Sequence, residues 1–155
     1  MSYNSGSNFN GQNWFETMMD TRTRNAVRER RKAFETEHRD DSDEQLLRLM
    51  QERAESPGGE LQSEEFLGNA LVIERFGSWE QALAAAGLRS PEKVKKFRFT
   101  RLYEEEYARQ LKLYRAERDA KRSARRRRAA ERERRKAEER QREDTPPDQS
   151  PPPPA

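Results

Sequence analysis

Apolar residues recur along this chain at the three- and four-residue spacing of amphipathic helices. The first stripe covers residues 14–34 and is interrupted by a basic segment, which predicts an N-terminal helix over residues 13–39. A second stripe indicates a helix that can dock one face against its neighbours. Its members are Leu102, Tyr103, Tyr107, Leu111 and Tyr114. The spacing as a whole predicts an all-α protein.

Local start and stop signals mark short helices between these two stripes. Ser42 and Gln45 have the spacing of a capping box, in which each side chain accepts a hydrogen bond from the other residue's backbone N–H. Ser78 and Gln81 repeat this spacing, and Gly87 is placed to end the helix that they begin. These signals predict one helix after Ser42 and another after Ser78.

Two more short helices are predicted between the capped ones, the first from Ser63 and the second over residues 70–76, ended by Gly77. Four helices over residues 42–89 would form a module of about 48 residues, close to the smallest size that one core can stabilise. We predict that its core contains Leu46, Met50, Phe66, Leu71, Ile73, Phe76, Trp79, Leu83 and Leu88.

The last predicted helix is long and becomes very polar. Ser90, Pro91 and Glu92 offer an N-cap, a proline at the first helical position and an acidic first turn, which predicts a helix over residues 91–143. No large apolar residue follows Tyr114 before the proline-rich end. The second part of this helix is therefore predicted to be surrounded by solvent.

Both ends of the chain are predicted to lack a folded structure. Residues 1–12 are rich in Ser, Asn and Gly, and residues 144–155 are rich in Pro. The N-terminus has neither a basic nor an apolar leader segment, and no apolar stretch reaches the length of a membrane span. We expect a soluble cytoplasmic protein without a membrane segment, associated with the nucleoid if it binds DNA.

Composition narrows the chemistry further. Of the 155 residues 39% are charged and 31% are hydrophobic, so we expect a small folded unit within a larger polar chain. The absence of cysteine excludes disulfides and thiolate zinc sites, and His38 is the single histidine. No nucleophile–base pair or phosphate-binding loop can be assembled. We expect no catalytic residue, no metal site and no cofactor, and hence a protein that is not an enzyme.

Charge is distributed very unevenly. Residues 1–90 contain 11 basic and 16 acidic side chains, whereas residues 91–143 contain 21 basic and 11 acidic ones. The excess is densest in residues 122–136, which hold nine basic and two acidic side chains. As a helix, this segment displays cations on every face, and guanidinium groups bind phosphate bidentately. The charge predicts a nucleic-acid partner, and the alternative is a basic helix that is merely solvated.

Residues 75–88, RFGSWEQALAAAGL, resemble the homing endonuclease-associated (HNH-associated) repeat, and the resemblance extends over residues 42–88. It implies a small helical module that binds DNA in a helix-turn-helix or Myb-like manner, without the nuclease. By position, residues 69–75 would be the recognition helix and Gly77 the tight turn. The implied core residues are Phe76, Trp79, Leu83 and Leu88.

The module itself is acidic, with ten acidic and three basic side chains in residues 41–88, and phosphates repel such a surface. DNA affinity is therefore expected mainly from the flanking basic helices. Phe97 and Phe99 either stack on bases or belong to the core. The candidate nucleic-acid ligands are Asn69 and Arg75 in the module, Arg28 and Arg31 before it, Lys93, Lys95 and Lys96 after it, and Arg122, Arg125, Arg126, Arg127, Arg128, Arg132, Arg134, Arg135 and Lys136.

The leading interpretation is a non-enzymatic nucleic-acid-binding accessory or regulatory protein, linked to a mobile element, with DNA favoured over RNA. One alternative is an RNA-binding protein that acts through its arginine-rich helix. The other is a helical scaffold that uses a coiled coil, or binds a protein partner through the long helix or the proline-rich tail. Oligomeric state and sequence preference stay open.

Overall fold

The computed structural model describes residues 11–54, 59–147 and 153–155. Over these ranges the protein is all-α, as predicted. Its helices are α1 (Gly11–His38), α2 (Asp43–Arg53), α3 (Asn69–Phe76), α4 (Trp79–Ala86) and α5 (Arg101–Asp144). Two 3-10 turns, Ser63–Glu65 and Phe97–Phe99, lie between them. The chain divides into two compact units, residues 1–112 and residues 113–155.

The predicted caps of α2 and α4 are present. The backbone N–H of Gln45 donates to Ser42 Oγ (3.2 Å), and that of Ser42 donates back to Gln45 Oε1 (2.8 Å). Ser78 Oγ accepts from the backbone N–H of Gln81 (3.1 Å). Gly87 ends α4 at φ 71°, a left-handed conformation that favours glycine. Local sequence signals therefore determine both helix starts and the end of α4.

Helices α2, α3 and α4 enclose the main core of the first unit, and the predicted core residues Trp79, Leu83 and Leu88 are buried there. Phe76 is half-buried against this core. Ile73 is a correction, because it is 37% exposed, while Leu71 and Val72 on α3 face inward. The core residues are Leu46, Met50, Ala54, Leu61, Phe66, Leu71, Val72, Trp79, Ala82, Leu83, Ala86 and Leu88.

Two segments outside the predicted module complete the first unit. From α1, Phe34 packs against the main core, and its ring occupies the space that a Cβ atom on the buried Gly68 would take. Met19 and Val27 of α1 are buried, as is Leu102 in the first turn of α5. The folded unit is consequently larger than residues 42–89.

The predicted helix start at Pro91 is wrong, since α5 begins ten residues later, at Arg101. The buried Gln62 side chain holds the intervening chain by donating to the carbonyl of Lys95 and accepting from its N–H. Buried Thr100 then provides the cap, with its Oγ1 accepting from the N–H of Tyr103 (3.3 Å). A tertiary contact thus overrides a favourable local start signal. The predicted helix at Ser63 is likewise only one 3-10 turn.

In the second unit, α5 continues to Asp144 with almost every side chain exposed. Glu131 pairs with Arg135 (3.1 Å), and Glu138 pairs with Arg134 (3.7 Å). None of the described helices combines the length and the apolar character that a bilayer span requires. Most of the predicted unstructured N-terminus, and residues 148–152 of the predicted tail, lie outside the described residues, whereas residues 11 and 12 belong to α1.

Candidate nucleic-acid interface

Arg31, a candidate ligand on α1, is a structural residue. Its guanidinium donates to the carbonyl oxygens of Phe66 (2.7 Å) and Glu64 (3.0 Å) and to Asn69 Oδ1 (3.0 Å). Burial lowers the pKa of Arg31, an effect that the nearby charge of Glu64 counteracts. The side chain therefore fastens α1 to the chain that leads into α3.

The two candidate base readers of α3 are also bound within the protein. Asn69 accepts from Arg31 and donates to Ser63 Oγ (3.3 Å). Arg75 donates to the carbonyl oxygen of Arg39 (2.7 Å) and to Asp43 Oδ1 (3.0 Å). Both side chains thus stabilise neighbouring loops and helix ends. Their contact with a base edge remains a prediction, and the geometry gives it no support.

Most of the other basic side chains on α1 have partners too. Together with Arg31 they form a basic strip that consists of Arg22, Arg24, Arg28, Arg30, Arg31 and Lys32. Arg30 pairs with Glu106 at 2.8 Å, and that carboxylate is 2% exposed. Arg24 pairs with Asp20 (3.0 Å), and Arg22 donates to Gln110 (2.9 Å). This strip consequently joins α1 to the first turns of α5.

Asp20 and Tyr103 form a contact that the sequence did not predict. The Tyr103 hydroxyl donates to Asp20 Oδ1 at 2.5 Å, and the Arg24 guanidinium lies 5.8 Å from the centre of the Tyr103 ring. The hydrogen bond from Tyr103 is the main reason that the pKa of Asp20 is lowered. Burial, followed by the same hydrogen bond, raises the pKa of Tyr103. The pair is a structural link between α1 and α5.

The loop before α5 exposes several cations. Lys93, Lys95 and Lys96 are exposed, although the backbone of Lys95 is held by Gln62. Phe97 packs edge-on against Tyr103 (5.4 Å between ring centres). This contact agrees with the prediction that Phe97 packs within the fold instead of stacking on bases. Phe99 is 52% exposed, with the Arg98 guanidinium 4.8 Å from its ring centre. Arg28, on α1, is exposed as well.

The arginine-rich segment, residues 122–136, contrasts with these sites. In this part of the described chain, no carboxylate pairs with Arg122, Arg132 or the run from Arg125 to Arg128, and all are exposed. Arg134 and Arg135 have carboxylate partners on the helix, and Lys136 lies 3.9 Å from Glu133. Six of the nine candidate cations in this segment therefore offer guanidinium groups without an internal partner.

The first unit contains three short helices, α2, α3 and α4, and the two residues Gly77 and Ser78 form the turn between α3 and α4. Residues 41–89 match the homing endonuclease associated repeat. The match confirms the resemblance and suggests a link to the context of homing endonucleases and mobile elements. No match is found among curated proteins or among solved structures.

The surface of the repeat is acidic in three dimensions as well as in sequence. Arg53 and Arg75 have internal partners, which leaves few of its cations for a ligand. On α3, Glu74 is exposed. The exposed carboxylates in the described part of the repeat belong to Asp43, Glu44, Glu52, Glu60, Glu64, Glu74 and Glu80. This surface opposes a phosphate backbone.

His38, the single histidine of the chain, has contacts only with nearby residues among those described. Its Nδ1 lies 2.7 Å from Asp41 Oδ2, its Nε2 lies 3.8 Å from Glu37, and its ring packs on Phe34. These contacts are local and follow the turn between α1 and α2. Across the described ranges, no three His, Cys, Asp or Glu side chains converge in a way that would hold a metal ion.

Proposed function

We propose that this protein is a non-enzymatic nucleic-acid-binding accessory or regulatory protein, with DNA favoured over RNA. Its binding surface is the arginine-rich segment, residues 122–136. The repeat, together with α1, acts as the folded hub of the first unit. The repeat match supports a working context of homing endonucleases or mobile elements.

One observation carries this proposal, namely that six arginines of the segment are exposed without a carboxylate partner. Exposed guanidinium groups bind phosphates through two parallel hydrogen bonds. Each phosphate contact also releases condensed counterions, which supplies most of the affinity in sequence-independent binding. A helix with this composition is thus suited to a polyanion.

The side chains in and next to the repeat also support placing the nucleic-acid affinity in the arginine-rich segment. Asn69 and Arg75 use their polar groups within the protein, and Arg31 does the same. The exposed carboxylates of the repeat repel phosphate. We therefore assign the affinity to the arginine-rich segment and a supporting role to the repeat.

A titration of labelled DNA and RNA duplexes with the full-length protein, at several KCl concentrations, tests this proposal. Changing Arg122, Arg125 to Arg128 and Arg132 to glutamine should weaken binding at every sequence and reduce the dependence of log K on log salt by several units. The matched variant with lysine at these six positions should retain most of the salt dependence, because the charge is kept. Absence of binding by the wild type at low salt would refute the proposed function.

A further inference from the structure

The cations of the second unit are not distributed evenly around α5. Successive residues of an α-helix are rotated by about 100°, so side-chain directions follow from residue numbers. Six of the cations in residues 118–140 point within about 40° of one direction. We call this set the cationic stripe. It consists of Arg118, Arg122, Arg125, Arg132, Lys136 and Arg140.

Ion pairs lie mainly on other faces of the helix. Glu131 and Glu138 are directed away from the stripe by about 140° or more, and they pair with Arg135 and Arg134. Nearer to the stripe, Glu133 and Glu139 are rotated by about 60°, and Glu133 lies 3.9 Å from Lys136. Glu143 points in the direction of the stripe but follows its last residue. The opposite side is thus partly neutralised, whereas the stripe keeps most of its charge.

Repulsion along the stripe gives it a reason to bind anions. Arg118 and Arg122 are four residues apart, as are Arg132 and Lys136, and like charges at this spacing destabilise a helix. Phosphates placed along the stripe would relieve this repulsion. Binding should therefore stabilise the helix over residues 118–140.

The dimensions and composition of the stripe favour one class of partner. Residues 118–140 rise about 33 Å along the helix axis, close to the roughly 34–36 Å of one turn of B-form DNA. The stripe contains no aromatic side chain, the group on which single-stranded bases stack. In A-form RNA the major groove is too deep and narrow for side chains to read.

We propose that α5 docks on double-stranded DNA through the cationic stripe, with the face carrying Glu131 and Glu138 turned to solvent. This inference rests on the proposed function and specifies the partner and the contacting face. It adds Arg118 and Arg140 to the binding residues. It removes the arginines that point about 80° or more away from the stripe, namely Arg126, Arg127, Arg128, Arg134 and Arg135.

Two full-length variants with equal net charge test which face of α5 contacts DNA. The stripe variant carries glutamine at Arg118, Arg122, Arg125 and Arg132, and the control carries glutamine at Arg127, Arg128, Arg134 and Arg135. On a 25-base-pair DNA duplex the stripe variant should reduce the salt dependence of log K by about 3.6, or 0.9 for each lost phosphate contact. The control should change it by less than about 1. Circular dichroism checks that both variants keep the same helix content.

A second measurement does not depend on removing charge. Because the chain contains no cysteine, single substitutions Ala129→Cys, on the stripe, and Ala130→Cys, about 100° away, can be alkylated selectively. Bound duplex DNA should slow alkylation at position 129 several-fold and leave position 130 unchanged.

The outcomes separate this inference from the proposed function. Equal losses in the two glutamine variants, or equal protection at positions 129 and 130, would overturn the one-face docking while nucleic-acid binding stands. Tighter binding to single strands, to double-stranded RNA or to polyglutamate would overturn duplex DNA as the partner. Failure of the wild type to bind any nucleic acid would overturn the proposed function itself.

Discussion

Two arginine-rich regions of this protein have similar sequences and different surroundings. On α1, Arg22, Arg24, Arg30 and Arg31 all donate to side chains or carbonyl oxygens of the same chain. In α5, the run from Arg125 to Arg128 has exposed guanidinium groups without a carboxylate partner. The first region stabilises the fold, and the second is available to a ligand.

The difference shows that a run of basic residues does not define its own function. What decides it is whether carbonyl oxygens and carboxylates from other elements reach the guanidinium groups. The buried Glu106 meets Arg30, and the carbonyl oxygens before α3 meet Arg31. Substitutions of the partnered arginines on α1 should therefore change stability, and joint substitution of Arg122, Arg125 and Arg132 should change binding.

Loss of Arg30 should have the largest effect on stability. Arg30→Met removes this partner of the buried Glu106 carboxylate, which among the described residues is then contacted by Arg109 (3.4 Å) and Gln110. We expect the free energy of unfolding to fall by about 3 kcal/mol, as for other broken buried pairs. Urea unfolding followed by tryptophan fluorescence measures it. The double variant Arg30→Met/Glu106→Leu should recover part of the loss. If Arg30→Met alone lowers the free energy of unfolding by less than about 1 kcal/mol, the pair is as weak as an exposed surface pair and the prediction is wrong.

Arg31→Lys should have the next largest effect. Lysine keeps the charge but cannot reproduce the fork that reaches the carbonyl oxygens of Glu64 and Phe66. We expect a loss of about 2 kcal/mol, because hydrogen bonds from a charged donor to these two carbonyl oxygens are lost. The control is Arg28→Lys at an exposed site of the same helix, which should leave the unfolding midpoint unchanged. Equal midpoints for both variants would contradict a structural role for Arg31.

The same distinction explains how far the sequence could predict this protein. Ser42, Ser78 and Gly87 act within one turn of their own helices, and their roles were predicted correctly. Pro91 offered an equally good local start, but Gln62 holds Lys95 in an extended segment and α5 begins at Arg101. Local hydrogen bonds are visible in sequence, whereas contacts between distant residues are not.

The candidate site follows the same rule. Arg31, Asn69 and Arg75 were predicted as ligands because their types suit nucleic acid, but partners as far as 38 positions away in the sequence bind their side chains. The exposure of the arginines in residues 122–132 was predictable, since no large apolar residue follows Tyr114 to pack that part of α5. Sequence therefore identified the exposed cations more reliably than the buried ones.

Tyr103→Phe should have a smaller and pH-dependent effect. Its hydroxyl lowers the pKa of Asp20, so this carboxylate contributes stability above its ordinary pKa of 3.8 and loses it as the pH falls further. The pKa of Tyr103 is raised, so its own contribution is lost as the pH rises above its ordinary value of 10.0. We expect the free energy of unfolding of Tyr103→Phe to be lower than that of the wild type by about 1 kcal/mol at pH 7. Below pH 4 the melting temperature of the variant should fall less steeply than that of the wild type.

Thermal unfolding between pH 2.5 and pH 7 measures this effect, with Tyr107→Phe as the control on the same helix. An identical acid dependence of wild type and Tyr103→Phe would show that the hydrogen bond to Asp20 does not contribute.

The smallest effect on stability is expected in the arginine-rich segment itself. Glutamine at Arg122, Arg125 to Arg128 and Arg132 removes exposed groups without partners, and glutamine is nearly as good a helix former as arginine. The free energy of unfolding of the first unit should change by less than about 0.5 kcal/mol. Fluorescence of the buried Trp79, in a Trp14→Phe background, reports on this core. A large shift would mean that these arginines stabilise the fold as those of α1 do, and the contrast between the two regions would no longer hold.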